Sequence, residues 1–175
     1  MLYQTELTQV ISGGQTGVDQ AAIRAAARCH IKTGGCMPKG YRTLDGPNPV
    51  FAVRYGMSEL SSISYKARTE ENVKRADATI RYARHWTSPG EICTRRAVDL
   101  RKQQMLDISE SSPWPIQQVV NWLAFHGVRV LNIAGNSEKT APGIGIRAEA
   151  YFVKLFHACT ADWSEAQPIL TKMKP

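Results

Sequence analysis

Short apolar runs of β-type residues alternate along this chain with amphipathic runs of helical period. The apolar runs lie at residues 7–11, 31–33, 78–83, 105–108 and 128–134. The amphipathic runs lie at residues 18–28, 69–76, 89–103, 113–126 and 143–158. Strands that alternate with helices are joined by right-handed crossovers, which give a parallel sheet covered on both faces. The alternation therefore predicts an α/β, doubly wound domain of about five mainly parallel strands.

The stretch from 34 to 65 breaks this alternation. Glycines and prolines are scattered through it, and we expect it to form a long irregular segment. Such long loops are uncommon in compact domains and are often functional. No repeat, low-complexity tract or linker divides the chain, so a single domain is predicted over residues 1–175.

Positive charge is concentrated in one part of the chain. The net charge is +7, and residues 24–102 hold 16 lysines and arginines against 7 aspartates and glutamates. This excess favours an anionic partner, either nucleic acid or a phosphorylated small molecule, of which nucleic acid is the less expected. A basic surface that serves only solubility is the alternative. We expect four arginines to form such a solvated surface: Arg81, Arg84, Arg95 and Arg96.

Other features exclude several classes of protein. The apolar runs are only a few residues long, so no membrane span is expected. The first residues lack the basic and apolar regions of a secretory signal, so no such signal is expected. The four cysteines include no CxxC pair, which indicates free thiols in the cytoplasm. The four histidines lie far apart, and the sequence has no Cys/His cluster of the kind that would predict a metal site.

Small polar residues occupy the junctions where a strand is followed by a helix. The first junction contains Gly13 and Gly14, whose backbone N–H groups can approach an anion closely at a helix start. Thr16 and Asp19 stand there at the spacing of a capping box, so a tight turn with a capped helix is the alternative. In parallel sheets such junctions lie at the carboxyl edge, where ligands bind.

Two later junctions have the same ambiguity. Ser88 is predicted as the N-cap of a helix with Glu91 at its third position, and capping alone explains that pattern. Gly135 and Ser137 follow a buried strand, where they either donate hydrogen bonds to an anion or simply form a turn.

Three cations stand near glycines or a helix start. Lys39 and Arg42 suit contact with a phosphate or carboxylate, and a solvated charged loop is the alternative. Arg68 precedes Thr69, which we predict as a helix N-cap, and Arg68 forms either an anion clamp or a surface ion pair.

Five segments together resemble the molybdenum cofactor carrier protein family, a circularly permuted branch of the SLOG superfamily, whose relatives include the cytokinin-activating phosphoribohydrolases. They are ISGGQTGVD (11–19), PKGYRTLDG (38–46), RTEENVKRADATI (68–80), SPGEICT (88–94) and VRVLNIAGNSE (128–138). The resemblance implies a Rossmann-like domain that forms a homo-oligomer, a dimer or tetramer. It also implies a pocket for the molybdenum cofactor (molybdopterin), a pterin that bears a phosphate.

The resemblance implies a cytoplasmic carrier without catalytic residues. Two alternatives are a nucleotide sensor of the SLOG type and, less expected, a nucleoside-phosphate hydrolase that cleaves an N-glycosidic bond. By motif, the implied ligand-binding residues are Gly13, Gly14, Gln15, Thr16, Asp19, Lys39, Arg42, Arg68, Thr69, Asn72, Ser88, Gly90, Thr94, Gly135 and Ser137.

The chain departs from the family motifs at two positions. Family members commonly have threonine where this chain has Glu91, and a carboxylate facing a bound phosphate would repel it. We therefore expect either that Glu91 only assists the cap or that its junction binds a less anionic group. The last motif often reads Gly-Pro-Arg-Glu-Ser in the family, whereas this chain reads Gly-Asn-Ser-Glu over residues 135–138, so the arginine and one expected anion contact are missing.

Overall fold

The structure, a computed structural model, describes residues 5–160 and contains nine strands and six helices within them. The strands are β1 (Gln9–Ser12), β2 (Lys32–Gly34), β3 (Cys36–Met37), β4 (Arg42–Thr43), β5 (Gly46–Pro47), β6 (Ser58–Glu59), β7 (Ala78–Ala83), β8 (Gln104–Ser109) and β9 (Val130–Gly135). The helices are α1 (Val18–Arg28), α2 (Pro49–Arg54), α3 (Tyr65–Arg75), α4 (Pro89–Arg101), α5 (Ile116–Phe125) and α6 (Ile144–Thr160).

One sheet of five strands organises the described residues. Its order is β2-β1-β9-β7-β8, and every neighbouring pair is parallel. The central strand β9 pairs with β1 on one side and β7 on the other, so that Leu131 lies opposite Val10 and Ile133 opposite Ile80. The predicted fold class, a doubly wound Rossmann-like α/β domain, is confirmed.

Helices cover both faces of the sheet, because successive side chains of a strand point to opposite sides. Ile80 of β7 faces the larger apolar core, in which α1, α5 and α6 pack and Phe152 is buried. Arg81, the next residue, faces α4, which packs against α3 around Val73 and Val98. Within residues 5–160, no helix combines the length and apolar character that crossing a membrane requires.

The expectation of an irregular segment over 34–65 is wrong in part. The segment contains α2, the parallel pair β3–β6 and the antiparallel pair β4–β5. Phe51 and Met57 of this segment pack with Met37 against Ile23 of α1. Strands of two residues have no hydrophobic period from which the sequence could reveal them.

Two predicted helix caps also need correction. Helix α3 begins at Tyr65, and Ser64 Oγ caps it by accepting from Ala67 N at 3.3 Å, so Thr69 is an internal residue and not the N-cap. The N-cap of α1 is Gly17, with no capping side chain, so Thr16 and Asp19 form no capping box. The prediction for Ser88 is confirmed, because its Oγ accepts from Glu91 N at 3.4 Å.

Candidate functional site

A cavity of about 450 Å³ lies beyond the carboxyl ends of β1, β9 and β7. After β1 the chain crosses to β2 at one edge of the sheet, and after β7 it crosses to β8 at the other edge. The loops that follow β1 and β7 therefore leave in opposite directions on either side of β9. Crevices at such a switch point are where open α/β sheets bind ligands. The lining residues come from these loops and from α1, α3, α4 and the β4–β5 turn: Gln15, Asp19, Leu44, Tyr65, Lys66, Arg68, Thr69, Ser88, Pro89, Gly90, Cys93, Thr94, Ala134, Gly135, Asn136, Ser137 and Thr140.

The structure brings nine of the fifteen sequence-predicted residues to this cavity: Gln15, Asp19, Arg68, Thr69, Ser88, Gly90, Thr94, Gly135 and Ser137. The other six are absent from its lining: Gly13, Gly14, Thr16, Lys39, Arg42 and Asn72. The strand-to-helix junctions therefore converge as the parallel sheet requires, whereas the cations of the 38–46 segment lie apart from the cavity.

An ion pair lies at one end of the cavity. Arg68 Nη1 is 3.0 Å from Asp19 Oδ2, and both side chains are largely shielded from solvent. The guanidinium group lies against the backbone of Gly13, where a Cβ atom would be 1.7 Å from Arg68 Nη1. The Tyr65 ring lies on the same guanidinium, with 5.9 Å between its centroid and Arg68 Cζ. Gly13 therefore serves the site by leaving room for Arg68.

Two opposing effects act on the pKa of Asp19. Burial raises this pKa above its ordinary value, because a carboxylate loses its hydration. The charge of Arg68 and hydrogen bonds from the backbone of Gln15 and Gly13 lower it by a smaller amount.

The start of α4 forms the opposite wall. Ser88 caps the helix, Pro89 has no N–H, and the N–H of Gly90 has no partner within the helix because it belongs to the first turn. A Cβ atom added at Gly90 would meet no heavy atom within 4 Å, so this turn faces open space. Cys93 lines the cavity one turn further along. The free N–H and the positive end of the helix dipole favour an anion here.

Asn72 has a structural role. Its Oδ1 accepts from Cys36 N at 2.8 Å, and its Nδ2 donates to Cys36 O at 3.0 Å. Both ends of this buried amide therefore join α3 to β3. Gly14 donates its N–H to Ser12 Oγ, and Met37 covers it, since a Cβ atom on Gly14 would be 2.8 Å from Met37 Sδ.

Lys39 and Arg42 are exposed, and neither forms an ion pair within residues 5–160. Thr16 is buried, and its Oγ1 has no hydrogen-bond partner among the residues that the structure describes. Part of the first motif thus shapes the turn beside the cavity without lining it.

Glu91 points away from the cavity. Its Oε2 lies 3.5 Å from Arg81 Nη1, and its Oε1 accepts from Asn136 Nδ2 at 3.3 Å. Burial raises the pKa of Glu91 to about 7, although Arg81 opposes this. Glu91 is absent from the cavity lining, so its carboxyl group would not contact a bound ligand directly.

Asn136 holds the loop after β7 in place. Its Oδ1 accepts from Arg84 N at 2.9 Å and from His85 N at 2.8 Å, and its Nδ2 also donates to His85 O at 2.9 Å. A single amide thus joins the loops after β9 and β7, both of which contribute to the cavity wall.

Sequence reasoning did not select several lining residues: Leu44, Tyr65, Lys66, Pro89, Cys93, Ala134, Asn136 and Thr140. Tyr65 lies one turn before Arg68 on α3, so placing the helix start at Ser64 would have revealed it. Leu44 enters because its N–H donates to Gln15 Oε1 at 2.8 Å, a contact that no local pattern predicts.

The arrangement suits binding of an anion that carries a flat apolar group. Arg68 and the α4 start supply positive potential, while Leu44, Tyr65 and Pro89 supply apolar wall. Within residues 5–160, no three His, Cys, Asp or Glu side chains come together as a metal-binding group.

Comparisons with known proteins agree with this description. The family model described as the circularly permutated YpsA SLOG family matches residues 10–156. A solved structure named "Putative molybdenum carrier protein" from Syntrophus aciditrophicus SB is similar, with 30% sequence identity and a TM-score of 0.78. The similarity covers 87% of this chain and 96% of that chain. A comparison with curated proteins gives no match.

Proposed function

Because the chain belongs to the circularly permutated YpsA SLOG family, we propose that it binds a phosphorylated pterin of the molybdenum cofactor type and carries it without chemical turnover. The observation that carries this proposal is the cavity at the switch point, where Arg68 and the open first turn of α4 face the same space. The similar structure named as a molybdenum carrier gives further support.

The residues of the cavity fit such a ligand. Its volume of about 450 Å³ lies in the range of small-molecule sites. The N–H of Gly90 and the guanidinium of Arg68 would hold the phosphate, because charge-assisted hydrogen bonds to phosphate are strong. Leu44 and Tyr65 would contact the pterin ring, and Ser137 would offer its hydroxyl to a polar edge.

The residues of a carrier need only bind the ligand and shield it from water. When bound, the cofactor would supply an oxomolybdenum group for use in another protein. Arg68 would orient the ligand through its phosphate, while Tyr65 and Leu44 would exclude water from the ring. Release would then require only that these contacts be exchanged for those of a recipient.

Glu91 does not lie where the hydrolase alternative requires a glutamate. That alternative requires a glutamate beside the ribose, and Glu91 faces Arg81 on the far side of α4. The nucleotide sensor requires the same cavity as the carrier and differs only in the ligand. The homo-oligomer, the cytoplasmic location and the single domain over 1–175 stay predictions from the sequence.

Identification of the natural ligand tests the proposal. The protein would be purified under anoxic conditions and denatured, and the released small molecules would be identified by mass spectrometry. We expect a phosphorylated pterin or its fluorescent oxidation product. Release of a nucleotide would replace the carrier proposal with the sensor, and a free base formed from added nucleotides would replace it with the hydrolase.

A further inference from the structure

A second cavity, of about 380 Å³, lies on the other side of α4 from the first. Residues three and four apart share a helix face, so Gly90, Cys93 and Thr94 line the first cavity together. Ile92, Arg95 and Arg96 have the same spacing on the opposite face and line the second cavity. The helix therefore separates two spaces.

A rigid, charged wall faces the second cavity. Arg81 is buried and binds Asp107 through two hydrogen bonds, of 2.8 and 2.6 Å. It also donates to the backbone oxygen of Glu91 at 2.9 Å, and its Cζ lies 5.0 Å from the centroid of the Trp86 ring. The expectation that Arg81 belongs to a solvated surface is therefore wrong, because its neighbours fix it in place.

The second cavity carries positive charge beyond this fixed wall. Its lining contains three arginines against two acidic side chains, Glu91 and Asp107. Arg95 is half exposed and lies 3.5 Å from Asp107 Oδ2. Arg96 is exposed and forms no ion pair with any residue that the structure describes. Arg96 can therefore bind an anion without giving up an existing partner.

The same wall also offers an aromatic surface. Trp86 is partly exposed and lines the cavity, so a flat ring can pack against it. Glu91 is 1% exposed, and its Oε2 lies 3.5 Å from Arg81 Nη1, so its carboxylate belongs to the fixed wall behind this surface.

We propose that the second cavity is a binding site for a small organic anion that carries a flat aromatic ring. The ring lies against Trp86, while the anionic group pairs with Arg96 and Arg95. The volume suits one such molecule, since small-molecule sites begin near about 300 Å³. This site shares no side chain with the phosphate contacts of the first cavity, so its test is independent of the carrier proposal.

Guanosine 5′-monophosphate is a suitable probe because it combines a phosphate with a flat aromatic ring. Binding would be followed by NMR through the indole N–H signal of Trp86 in the ¹⁵N-labelled full chain, with the signal assigned from its loss in Trp86→Phe. We expect a saturable shift of this signal and little change at Trp122. Guanosine and ribose 5-phosphate, each lacking one half of the probe, should bind about tenfold more weakly or worse.

A matched pair of variants on α4 completes the test. Arg96→Ala should weaken the probe about tenfold, because a charged hydrogen bond is lost. Arg101→Ala removes an exposed arginine of the same helix that does not line the cavity, and it should leave the affinity unchanged. The proposal is overturned if the Trp86 signal does not shift saturably, or if Arg96→Ala binds the probe as tightly as Arg101→Ala.

Discussion

Asn136 Nδ2 donates a hydrogen bond to Glu91 Oε1 across 3.3 Å. Each of these residues lies in one of the two motifs at which the sequence resemblance implies a departure from the family pattern. The hydrogen bond joins the start of α4 to the loop after β9, while Asn136, Arg68 and Gly90 line the cavity. The carboxylate of Glu91 is therefore held outside the cavity lining.

Glu91 should make the stability of the protein depend on pH. Burial raises the pKa of its carboxyl group in the folded protein from 4.5 to about 7, so the folded state binds a proton more tightly than the unfolded chain. Stability then falls as the pH rises through this interval, by up to about 3 kcal/mol, and levels off above it. Urea unfolding at several pH values from 4 to 8 would measure this change.

Glu91→Gln provides the control, because it keeps an acceptor for Asn136 and removes the titration. The difference in unfolding free energy between the parent and Glu91→Gln should shift in favour of the variant as the pH rises from 4.5 to about 7. A difference that stays constant across this interval would show that Glu91 does not titrate there.

Arg68 and Arg42 should differ in their effect on ligand binding, although the sequence assigns both to the site. Arg68 lines the cavity and Arg42 does not. We expect Arg68→Ala to weaken binding of molybdopterin about 10- to 100-fold, since a charged hydrogen bond contributes about 1.5–3 kcal/mol. Arg42→Ala should bind as the parent does. Anoxic equilibrium binding would measure both, and parent-like affinity in Arg68→Ala would remove Arg68 from its proposed role.

Gly13 should be intolerant of any side chain. A Cβ atom there would lie 1.7 Å from Arg68 Nη1 and 2.6 Å from its Cδ, so Gly13→Ala must displace the guanidinium. We expect Gly13→Ala to lose stability by about 1–3 kcal/mol and to bind ligand as weakly as Arg68→Ala. Gly90→Ala is the stability control, because its Cβ meets nothing within 4 Å and alanine favours a helix. Chemical denaturation would separate the two, and similar losses would contradict the packing described for Gly13.

Asn72 should affect stability more than the partly buried Asn121 does. Asn72→Ala leaves the buried N–H and carbonyl of Cys36 without partners, and we expect a loss of about 2–4 kcal/mol. Asn121→Ala removes an amide that only accepts from Gln117 on the neighbouring turn of α5, and it should change stability by less than about 1 kcal/mol. Thermal or urea unfolding of both variants is the measurement. A small effect at Asn72 would mean that the join between α3 and β3 contributes little.

Cys93 should react with alkylating agents before the other described cysteines. It is partly exposed and lines the cavity, whereas Cys29 and Cys36 are buried. Burial raises the pKa of Cys159 to about 12, which keeps that thiol protonated and slow to react. Peptide mass spectrometry after brief treatment with iodoacetamide would rank the sites. Bound ligand should protect Cys93, and Cys93→Ser should abolish the protected signal; faster reaction at Cys159 would contradict the described exposure.

The fold could be predicted from sequence because its signals are local and repeated. The runs that became β7 and β9 consist mostly of apolar residues, as is typical of strands covered on both faces, and the stripe of α6 shows in Phe152 and its helical neighbours. The convergence of Ser88, Gly135 and Gln15 followed from the parallel sheet, which places all strand-to-helix junctions at one edge.

The remainder of the site depends on contacts between distant residues. Leu44 reaches the cavity because its N–H donates a hydrogen bond to Gln15, 29 positions earlier in the chain. The side-chain amide of Asn72 is already hydrogen-bonded to the backbone of Cys36, 36 positions earlier. The direction of Glu91 depends on Arg81, which the sequence suggested was solvated. Such distant partners set the direction of a side chain at a helix start, and the spacing of residues in the sequence does not predict these partners.

A crystal structure of the anoxically prepared protein with molybdopterin tests the central claim most directly. The account predicts the ligand in the cavity beyond β1, β9 and β7, with its phosphate within hydrogen-bond distance of Arg68 or of the Gly90 N–H. A ligand bound elsewhere on the protein, or an empty cavity in crystals grown with saturating molybdopterin, would contradict the account.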